Sequence, residues 1–344
     1  MRHEKQLLAV IETIQANNSI LVIGHIDPDG DDISSMLGLT LGLRRMGKKA
    51  IAVVDSPIPE IFRPLLLTDQ ILDWDGFCRL HTPKDFECLV VVDASSRDRI
   101  GQFERLLGSM PSVVVDHHAT NTNFGDVNWV DPSAAATAQM VLWIFQRMEL
   151  GLDPVLSSLL LLGIQTDSGF FKYSNTDARL LEDAARLARF GADPSFNANL
   201  VLENQRPEYF ALLARMINNM HMDPELGIVF SFLRREEVRE YGNGYSDTSG
   251  FVGALRSLKG MEAALFFSEE EDRKIKTHMR SKDWFDIATV ALHFGGGGHP
   301  KAAGCTLLME MDEAIDSVLT YTKEQMEIQK QNHAKNEEGP GWGV

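Results

Sequence analysis

The feature that most constrains the fold is a series of four short apolar runs in the first half of the chain. They lie at residues 20–23, 50–54, 89–92 and 112–115 and are rich in β-branched side chains. Such runs are typical of strands that are buried on both faces of a parallel sheet. Helix candidates follow them at residues 32–46, 132–148, 154–165 and 177–190. The alternation predicts an α/β domain with a doubly wound, mostly parallel sheet.

Two of the predicted helices share a start signal. Asp131-Pro132 and Asp153-Pro154 each place an acid before a proline. Aspartate is a favoured N-cap and proline suits the first helical position, so we expect helices to begin there. The amphipathic stretch 177–190 stops at Gly191, which fits the residue just after a helix.

The chain changes character after the predicted domain at residues 1–190. We expect a helical connector at 191–225 and a second, smaller α+β domain at 226–328. Runs at 227–233, 261–268 and 274–279 resemble antiparallel strands, and a helix is expected at 311–326. The tail at 329–344 lacks periodicity, which predicts disorder. Two domains of about 150 residues each suit the length of the chain.

Composition restricts the partners. The net charge is −16, and we see no basic stripe of the kind that grips a long nucleic-acid backbone. A nucleic-acid substrate should therefore be short. The cysteines Cys78, Cys88 and Cys305 form no C-x-x-C pair, as is typical of reduced thiols in the cytosol. No apolar stretch approaches the roughly 20 residues that span a bilayer. We expect a cytoplasmic protein with no membrane partner.

Acidic and histidine side chains follow the predicted strands at the points where the strands end. In chain order, including one acid after a later apolar run, they are His25, Asp27, Asp29, Asp31, Asp93, Asp116, His117, His118 and Asp167. The carboxyl ends of parallel strands form one crevice, so these side chains should meet at one edge of the sheet. A single acid at a strand end is more often a helix cap or a turn former. The occurrence of many such residues at the ends of several strands is what indicates a site.

Clustered carboxylates repel one another, so they must take up protons or share cations. Imidazoles mixed with many carboxylate oxygens suit manganese, magnesium, iron or zinc, and the oxygen excess favours manganese or magnesium. Two divalent ions about 3.5–4 Å apart that share a carboxylate are a recurring solution for phosphoester hydrolysis. The pattern therefore predicts a two-metal centre.

At these residues the sequence resembles the DHH phosphoesterase superfamily, named after the triplet that stands here as Asp116-His117-His118. The other motifs of the first domain lie at residues 25–31, 91–93 and 163–169. The second domain resembles the DHH-associated C-terminal domain, through its glycine-rich motif at 295–304. The motifs keep the family's order over residues 15–325, and the domain pairing looks most like the nanoRNase and pAp phosphatase branch.

The resemblance implies a role for each residue. The first of the two ions would be held by His25, Asp29 and Asp93. The second would be held by Asp31, Asp93, His117 and Asp167. Asp93 would bridge them. Asp116 would orient the neighbouring histidines, and His118 would bind the phosphate or protonate the leaving oxygen. The implied cofactor is two Mn²⁺ ions, with Mg²⁺ or Co²⁺ as alternatives.

Four consecutive glycines precede His299 and Lys301. By themselves they favour a hinge, and no P-loop pattern is present. Glycine also allows close backbone approach to an anion. The resemblance implies that this domain clamps the far end of the substrate over the metal site. The implied substrate-binding residues are Arg280, Gly297, Gly298 and His299, with Arg280 as a phosphate fork. A solvated basic turn is the alternative.

The chain departs from the family after Asp31, where Asp32-Ile33-Ser34-Ser35 replaces the usual small residues. No implied ligand is lost, so the departure bears on metal preference and substrate fit.

The function implied is hydrolysis of short oligoribonucleotides, such as pGpG or pApA, and of pAp. The alternatives are a pyrophosphatase or exopolyphosphatase of the same superfamily, which should lack the glycine loop, and a cyclic-dinucleotide phosphodiesterase. A RecJ-like exonuclease is disfavoured by length and charge. A non-catalytic nucleotide sensor should have lost ligands. The sequence leaves open the substrate length, the choice between RNA and DNA, and whether the protein is a homodimer.

Overall fold

The computed structural model describes residues 3–242, 248, 250–271 and 273–337. Contacts divide the chain into two compact units between Asn204 and Gln205, within the predicted connector. Apart from short 3₁₀ turns, the elements of the first unit are α1 (Glu4–Ala16), β1 (Ser19–Ile23), α2 (Gly30–Arg45), β2 (Lys49–Val53), α3 (Trp74–Leu80), β3 (Cys88–Val92), β4 (Ser112–Asp116), β5 (Val127–Val130), α4 (Thr137–Arg147), α5 (Pro154–Asp167), α6 (Ala178–Arg189) and α7 (Pro194–Leu202).

The first sheet has the order β2-β1-β3-β4-β5, and every pair in it is parallel. Every residue of β3 and β4 is buried, as in a sheet that is covered on both faces. Alternate residues of β1 face different cores: Ile20 and Val22 lie in one, and Leu21 and Ile23 in the other. The predicted α/β class is confirmed. Strand β5 was not predicted, because its short, half-buried Val-Asn-Trp-Val sequence does not form an apolar run.

The two Asp-Pro signals have different outcomes. The Asp153 carboxylate accepts hydrogen bonds from the backbone of Val155 and Leu156, and α5 begins at Pro154 as predicted. The prediction at Asp131 is wrong, because α4 begins only at Thr137. The Asp131 carboxylate instead closes a local turn by accepting from the Ser133 N–H at 3.1 Å.

The second unit contains α8 (Pro207–Asn218), β6 (His221–Asp223), β7 (Ile228–Leu233), α9 (Arg235–Gly242), α10 (Phe251–Arg256), β8 (Ala263–Glu271), β9 (Lys274–Ser281), α11 (Ala288–His293), β10 (Gly297–His299), β11 (Ala302–Leu308) and α12 (Met311–Glu337). Its sheet has the order β10-β11-β9-β8-β7-β6. The antiparallel prediction is wrong for β7 and β8, which pair in parallel. In the sequence, the helices α9 and α10 lie between these two strands, and they allow the crossover connection that a parallel pair needs.

The last helix is longer than predicted. It runs to Glu337, so residues 329–337 are helical rather than disordered, and the rest of the predicted tail lies outside the described residues. The side chain of Gln329 accepts from the Asp286 N–H at 2.8 Å and donates to the Asp286 carbonyl at 3.2 Å. Hydrophobic periodicity in the sequence cannot reveal such a contact between distant residues. Across the described residues, no helix combines the length and apolar character that crossing a membrane requires.

Candidate metal centre

The segment after β1 positions the first imidazole. The His25 side chain is buried, and its Nδ1 lies 2.8 Å from the Ile26 carbonyl, to which it donates. That assignment leaves a lone pair on Nε2, because a neutral imidazole carries one proton. Nε2 faces the carboxylates of Asp29 at 4.0 Å and Asp93 at 3.8 Å. His25 therefore presents an acceptor nitrogen to two acids.

Asp93 follows β3 and lies at the centre of the cluster. Its φ of 57° is in the left-handed region, where a non-glycine residue is uncommon and often marks a functional constraint. Its Oδ1 lies 3.5 Å from His117 Nε2 and 3.7 Å from His118 Nδ1. Burial and the negative charges of Asp31 and Asp29 raise the pKa of Asp93 well above its usual range.

Asp31 lies in the first turn of α2 and is buried. Its two oxygens accept from the backbone N–H groups of Thr137, at 2.6 Å, and Ala138, at 2.9 Å. Ser35 donates a further hydrogen bond at 3.2 Å. Burial and the charge of Asp29 nevertheless raise the pKa of Asp31 to about 7. A charged carboxylate at this position is unfavourable unless a proton or a cation neutralises it.

The second imidazole is held in the same manner as the first. His117 follows β4, and its Nδ1 donates to the Ala134 carbonyl at 3.3 Å. Its Nε2 lies 3.2 Å from Asp167 at the end of α5 and 3.8 Å from Asp31. Burial, assisted by the charge of His118, lowers the pKa of His117 to about 4. The ring is therefore neutral at neutral pH, as a metal ligand must be.

Asp116 and His118 form a separate pair beside Asp93. His118 Nδ1 lies 2.7 Å from Asp116 Oδ1, and Asn121 donates to the other Asp116 oxygen at 2.6 Å. Burial alone would raise the pKa of Asp116, but the charge and hydrogen bond of His118 lower it to about 2. Burial lowers the pKa of His118, yet Asp116 outweighs it, so the net shift is upward. The pairing with Asp116 therefore favours the protonated form of the His118 imidazole next to the cluster.

The candidate ligands fall into two groups in which the donor atoms all lie within 4.8 Å of one another. The groups are His25, Asp29 and Asp93, and Asp31, His117 and Asp167. The structure thus brings together the six residues of the two predicted ligand sets, with Asp93 close to both imidazoles. Two buried carboxylates (Asp31 and Asp93), two more accessible ones (Asp29 and Asp167) and two acceptor imidazole nitrogens suit divalent cations, and the excess of oxygens suits Mn²⁺ or Mg²⁺. The residues present fit a divalent metal centre.

Sequence reasoning missed three residues around the cluster. Thr137 contacts Asp31 and Asp93 across more than 40 positions, which no local pattern reveals. Arg99 donates to the Ile26 carbonyl at 3.1 Å and lies as close to His25 Nδ1. Asn121 donates to the Asp116 carboxylate at 2.6 Å. Each supports a candidate site residue.

Asp32, the departure from the family pattern, is fully buried. Its Oδ1 accepts from the His25 N–H at 3.0 Å, whereas its Oδ2 has no hydrogen-bond partner among the described residues. A Cβ on Gly24 would lie 2.5 Å from that oxygen, so glycine is required there. Burial and the charge of Asp29 raise the pKa of Asp32 well above its usual range. The extra acid supports the His25 backbone.

The predicted substrate-binding residues lie in the second unit. Gly297, Gly298 and His299 form β10, so this part of the glycine run is a strand rather than a hinge. His299 pairs with Ala302, which in turn pairs with Arg280, so the three lie in one row across β10, β11 and β9. Residues opposite one another in a sheet share a face. The structure therefore places His299 and Arg280 on the same face of this sheet, two strands apart.

The glycines of β10 differ in their surroundings. A Cβ on Gly298 would lie 2.4 Å from the Ala302 carbonyl oxygen, so the close strand pairing requires glycine there. A Cβ on Gly297 would meet no described atom within 4 Å. Close packing within the described chain therefore does not account for glycine at position 297.

A parallel sheet that gathers acids and imidazoles at its carboxyl edge, in two groups suited to cations, is an arrangement typical of metal-dependent phosphoesterases. Residues 19–164 match the N-terminal domain of the DHH family, and residues 228–327 match the DHHA1 domain. The chain belongs to the DHH family. These matches confirm the resemblance on which the implied roles rest.

Similar proteins indicate which branch of the DHH family this chain resembles. The chain is 30% identical to the bifunctional oligoribonuclease and PAP phosphatase NrnA of Thermus thermophilus, over 94% of this chain and 96% of that protein. It is 28% identical to the protein of the same name from Bacillus subtilis, over 92% and 98% of the two chains. An exopolyphosphatase-related protein from Bacteroides fragilis has the same fold, with a TM-score of 0.85 at 22% identity over 95% of this chain and 98% of that one.

Proposed function

We propose that this chain is a nanoRNase and pAp phosphatase: it hydrolyses dinucleotides such as pGpG and pApA and other very short oligoribonucleotides, and removes a phosphate from pAp. The observation that carries the proposal is the two neighbouring groups of histidine and carboxylate side chains, with Asp93 close to the imidazoles of both. The NrnA relatives, aligned over nearly their whole length, support the substrate class. The net charge of −16 favours a short substrate over a long polyanion.

Two Mn²⁺ ions are the cofactor that we propose. His25, Asp29 and Asp93 would hold one, and the residues proposed for the other are Asp31, Asp93, His117 and Asp167. When bound, such a pair of ions stabilises negative charge at phosphorus and eases deprotonation of the attacking water. The protein's own part is to hold both imidazoles with Nε2 toward the carboxylates, which the Ile26 and Ala134 carbonyls achieve by accepting from Nδ1.

His118 is the proposed acid for the leaving oxygen. Its Nδ1 is engaged by Asp116 at 2.7 Å, so the proton that it donates would come from Nε2. Asp116 shifts the pKa of His118 upward against the effect of burial, which is the direction that favours the protonated form that a general acid must have. Asp116 would act through His118 by fixing the ring and stabilising the imidazolium.

Arg280 and the β10 residues are proposed to bind a phosphate at the other end of the substrate. The row that joins His299 to Arg280 places two cationic or hydrogen-bonding side chains on one face of the sheet. Gly297, which packing does not explain, would let a phosphate approach the backbone. In this proposal the metal centre provides the chemistry and the second unit provides the choice of substrate.

The decisive experiment compares kcat/KM for pGpG, pApA, pAp, pyrophosphate, a cyclic dinucleotide and a 20-nucleotide RNA under the same Mn²⁺ concentration. We expect the two dinucleotides and pAp to be the best substrates. An Asp93→Asn protein purified in parallel measures contamination. A preference for pyrophosphate, for the cyclic dinucleotide or for the long RNA would each contradict the proposal and favour the corresponding alternative.

A further inference from the structure

Thr137 contacts two of the candidate ligand carboxylates at once. It is the first residue of α4 and is fully buried. Its N–H donates to Asp31 Oδ2 at 2.6 Å, and its hydroxyl lies 2.9 Å from Asp93 Oδ1. A carboxylate can only accept, so the hydroxyl is the donor. One residue therefore links the two groups of candidate ligands.

The backbone contact has a simple origin. The N-cap residue of α4 is Ala136, whose side chain cannot cap the helix. The first N–H groups of a helix lack partners within the helix, and its N-terminus attracts negative charge. Asp31, which lies 106 positions before Thr137, accepts from that amide and from the next one. From α4, Asp31 is thus held by backbone amides alone, and the Thr137 hydroxyl remains for Asp93.

The hydroxyl acts on the orientation of the Asp93 carboxylate. With Oδ1 held by Thr137, Oδ1 lies toward His117 at 3.5 Å and Oδ2 lies toward His25 at 3.8 Å. This orientation is the one that a carboxylate shared between two cations requires. Rotation of the side chain would turn one oxygen away from its imidazole.

We propose that Thr137 is a positioning residue whose hydroxyl orients Asp93 between the two cation positions. The inference rests on the proposed function, because it takes the two groups as metal ligands. Groups that orient metal ligands typically contribute about 10- to 100-fold to metal affinity. Removal of the hydroxyl should weaken both ions, because Asp93 belongs to both positions.

The test is calorimetric titration of Mn²⁺ into purified wild type, Thr137→Val, Thr137→Ser and Thr40→Val, without substrate. Valine keeps the branched shape and removes the donor, whereas serine keeps the donor. Thr40 is the matched control, since it is equally buried, lies on α2 and has no hydrogen-bond partner for its hydroxyl among the described residues. Near-ultraviolet circular dichroism checks that each variant is folded.

We expect Thr137→Val to bind Mn²⁺ about 10- to 100-fold more weakly at both positions. Thr137→Ser and Thr40→Val should stay within about threefold of wild type. Wild-type affinity in folded Thr137→Val would overturn the inference and leave the proposed function intact, as would equal weakening in Thr40→Val. If Thr137→Val does not fold, Thr137→Ala decides by the same criterion. A wild type that binds fewer than two Mn²⁺ ions would instead refute the two-metal function, and the inference with it.

Discussion

Asp93→Asn should make the metal-free protein more stable and the enzyme inactive. Asparagine keeps the size of the side chain and an oxygen for Thr137, and it tolerates the left-handed φ of 57° at this position better than alanine does. It removes a negative charge from a buried site where burial, Asp31 and Asp29 raise the pKa of Asp93 well above its usual range. Without cations, that charge is a cost of folding.

The loss of activity follows from the position of the same carboxylate. It lies 3.8 Å from His25 and 3.5 Å from His117, so the substitution takes a charged ligand from both proposed positions. We expect kcat to fall by at least about a thousandfold, which corresponds to about 4 kcal/mol in the activation free energy. Wild type should gain about 2.7 kcal/mol of stability for each Mn²⁺ position when Mn²⁺ is at one hundred times the Kd of that position, and the variant should gain little.

The assay is urea unfolding in a chelator and again in Mn²⁺, together with turnover of pGpG. The order of stability should reverse, with the variant above wild type in the chelator and below it in Mn²⁺. Asp183→Asn is the control, because Asp183 is a buried acid of the same unit, and one of its oxygens accepts from both Gln139 and Trp143. It should show neither effect. Near-normal turnover by folded Asp93→Asn, or Mn²⁺ stabilisation equal to that of wild type, would refute the bridging role.

Three further predictions concern metal, protons and substrate. Chelation should abolish turnover and Mn²⁺ should restore it better than Mg²⁺; full activity after exhaustive chelation would contradict the two-metal centre. Because the pKa of Asp31 is raised to about 7 while that of His117 is lowered to about 4, a proton on Asp31 competes with Mn²⁺ as the pH falls through 7. Mn²⁺ affinity should therefore weaken from pH 8 to pH 6, and calorimetry in two buffers should detect proton release; a pH-independent affinity would contradict this. Arg280→Ala should lower kcat/KM for pGpG by about 1.5–3 kcal/mol and leave hydrolysis of bis-p-nitrophenyl phosphate unchanged. Equal losses on both substrates would mean that Arg280 supports the fold.

The sequence predicted what depends on short-range pattern. The runs that became β1 to β4 are apolar at every position except Ser112, and the acids that follow them lie at one edge because the strands are parallel. The candidate ligand groups could be predicted for the same reason, with the help of the family resemblance. The DHH and DHHA1 matches confirm that resemblance, while the role of each ligand stays a prediction.

What escaped prediction depends on contacts between distant residues. The start of α4 was misplaced because Asp131 closes a turn, and because the acid that does cap this helix is Asp31, on α2. The parallel pairing of β7 and β8 is decided by the path of the intervening helices rather than by either strand's sequence. The part of α12 that lies beyond the predicted end includes Gln329, whose side chain contacts Asp286. None of these appears in a local window.

The placement of Asp31 links the fold to the proposed chemistry. Its oxygens accept from the first two amides of α4, and it is also a candidate ligand beside His117 and Asp167. Backbone donors stabilise the charged form of a carboxylate, yet the pKa of Asp31 is raised to about 7, because burial and Asp29 outweigh them. The helix end alone therefore does not balance this charge. A cation would balance the remaining negative charge. Because Asp31 also accepts from the first two amides of α4, it should couple metal binding to the stability of that helix.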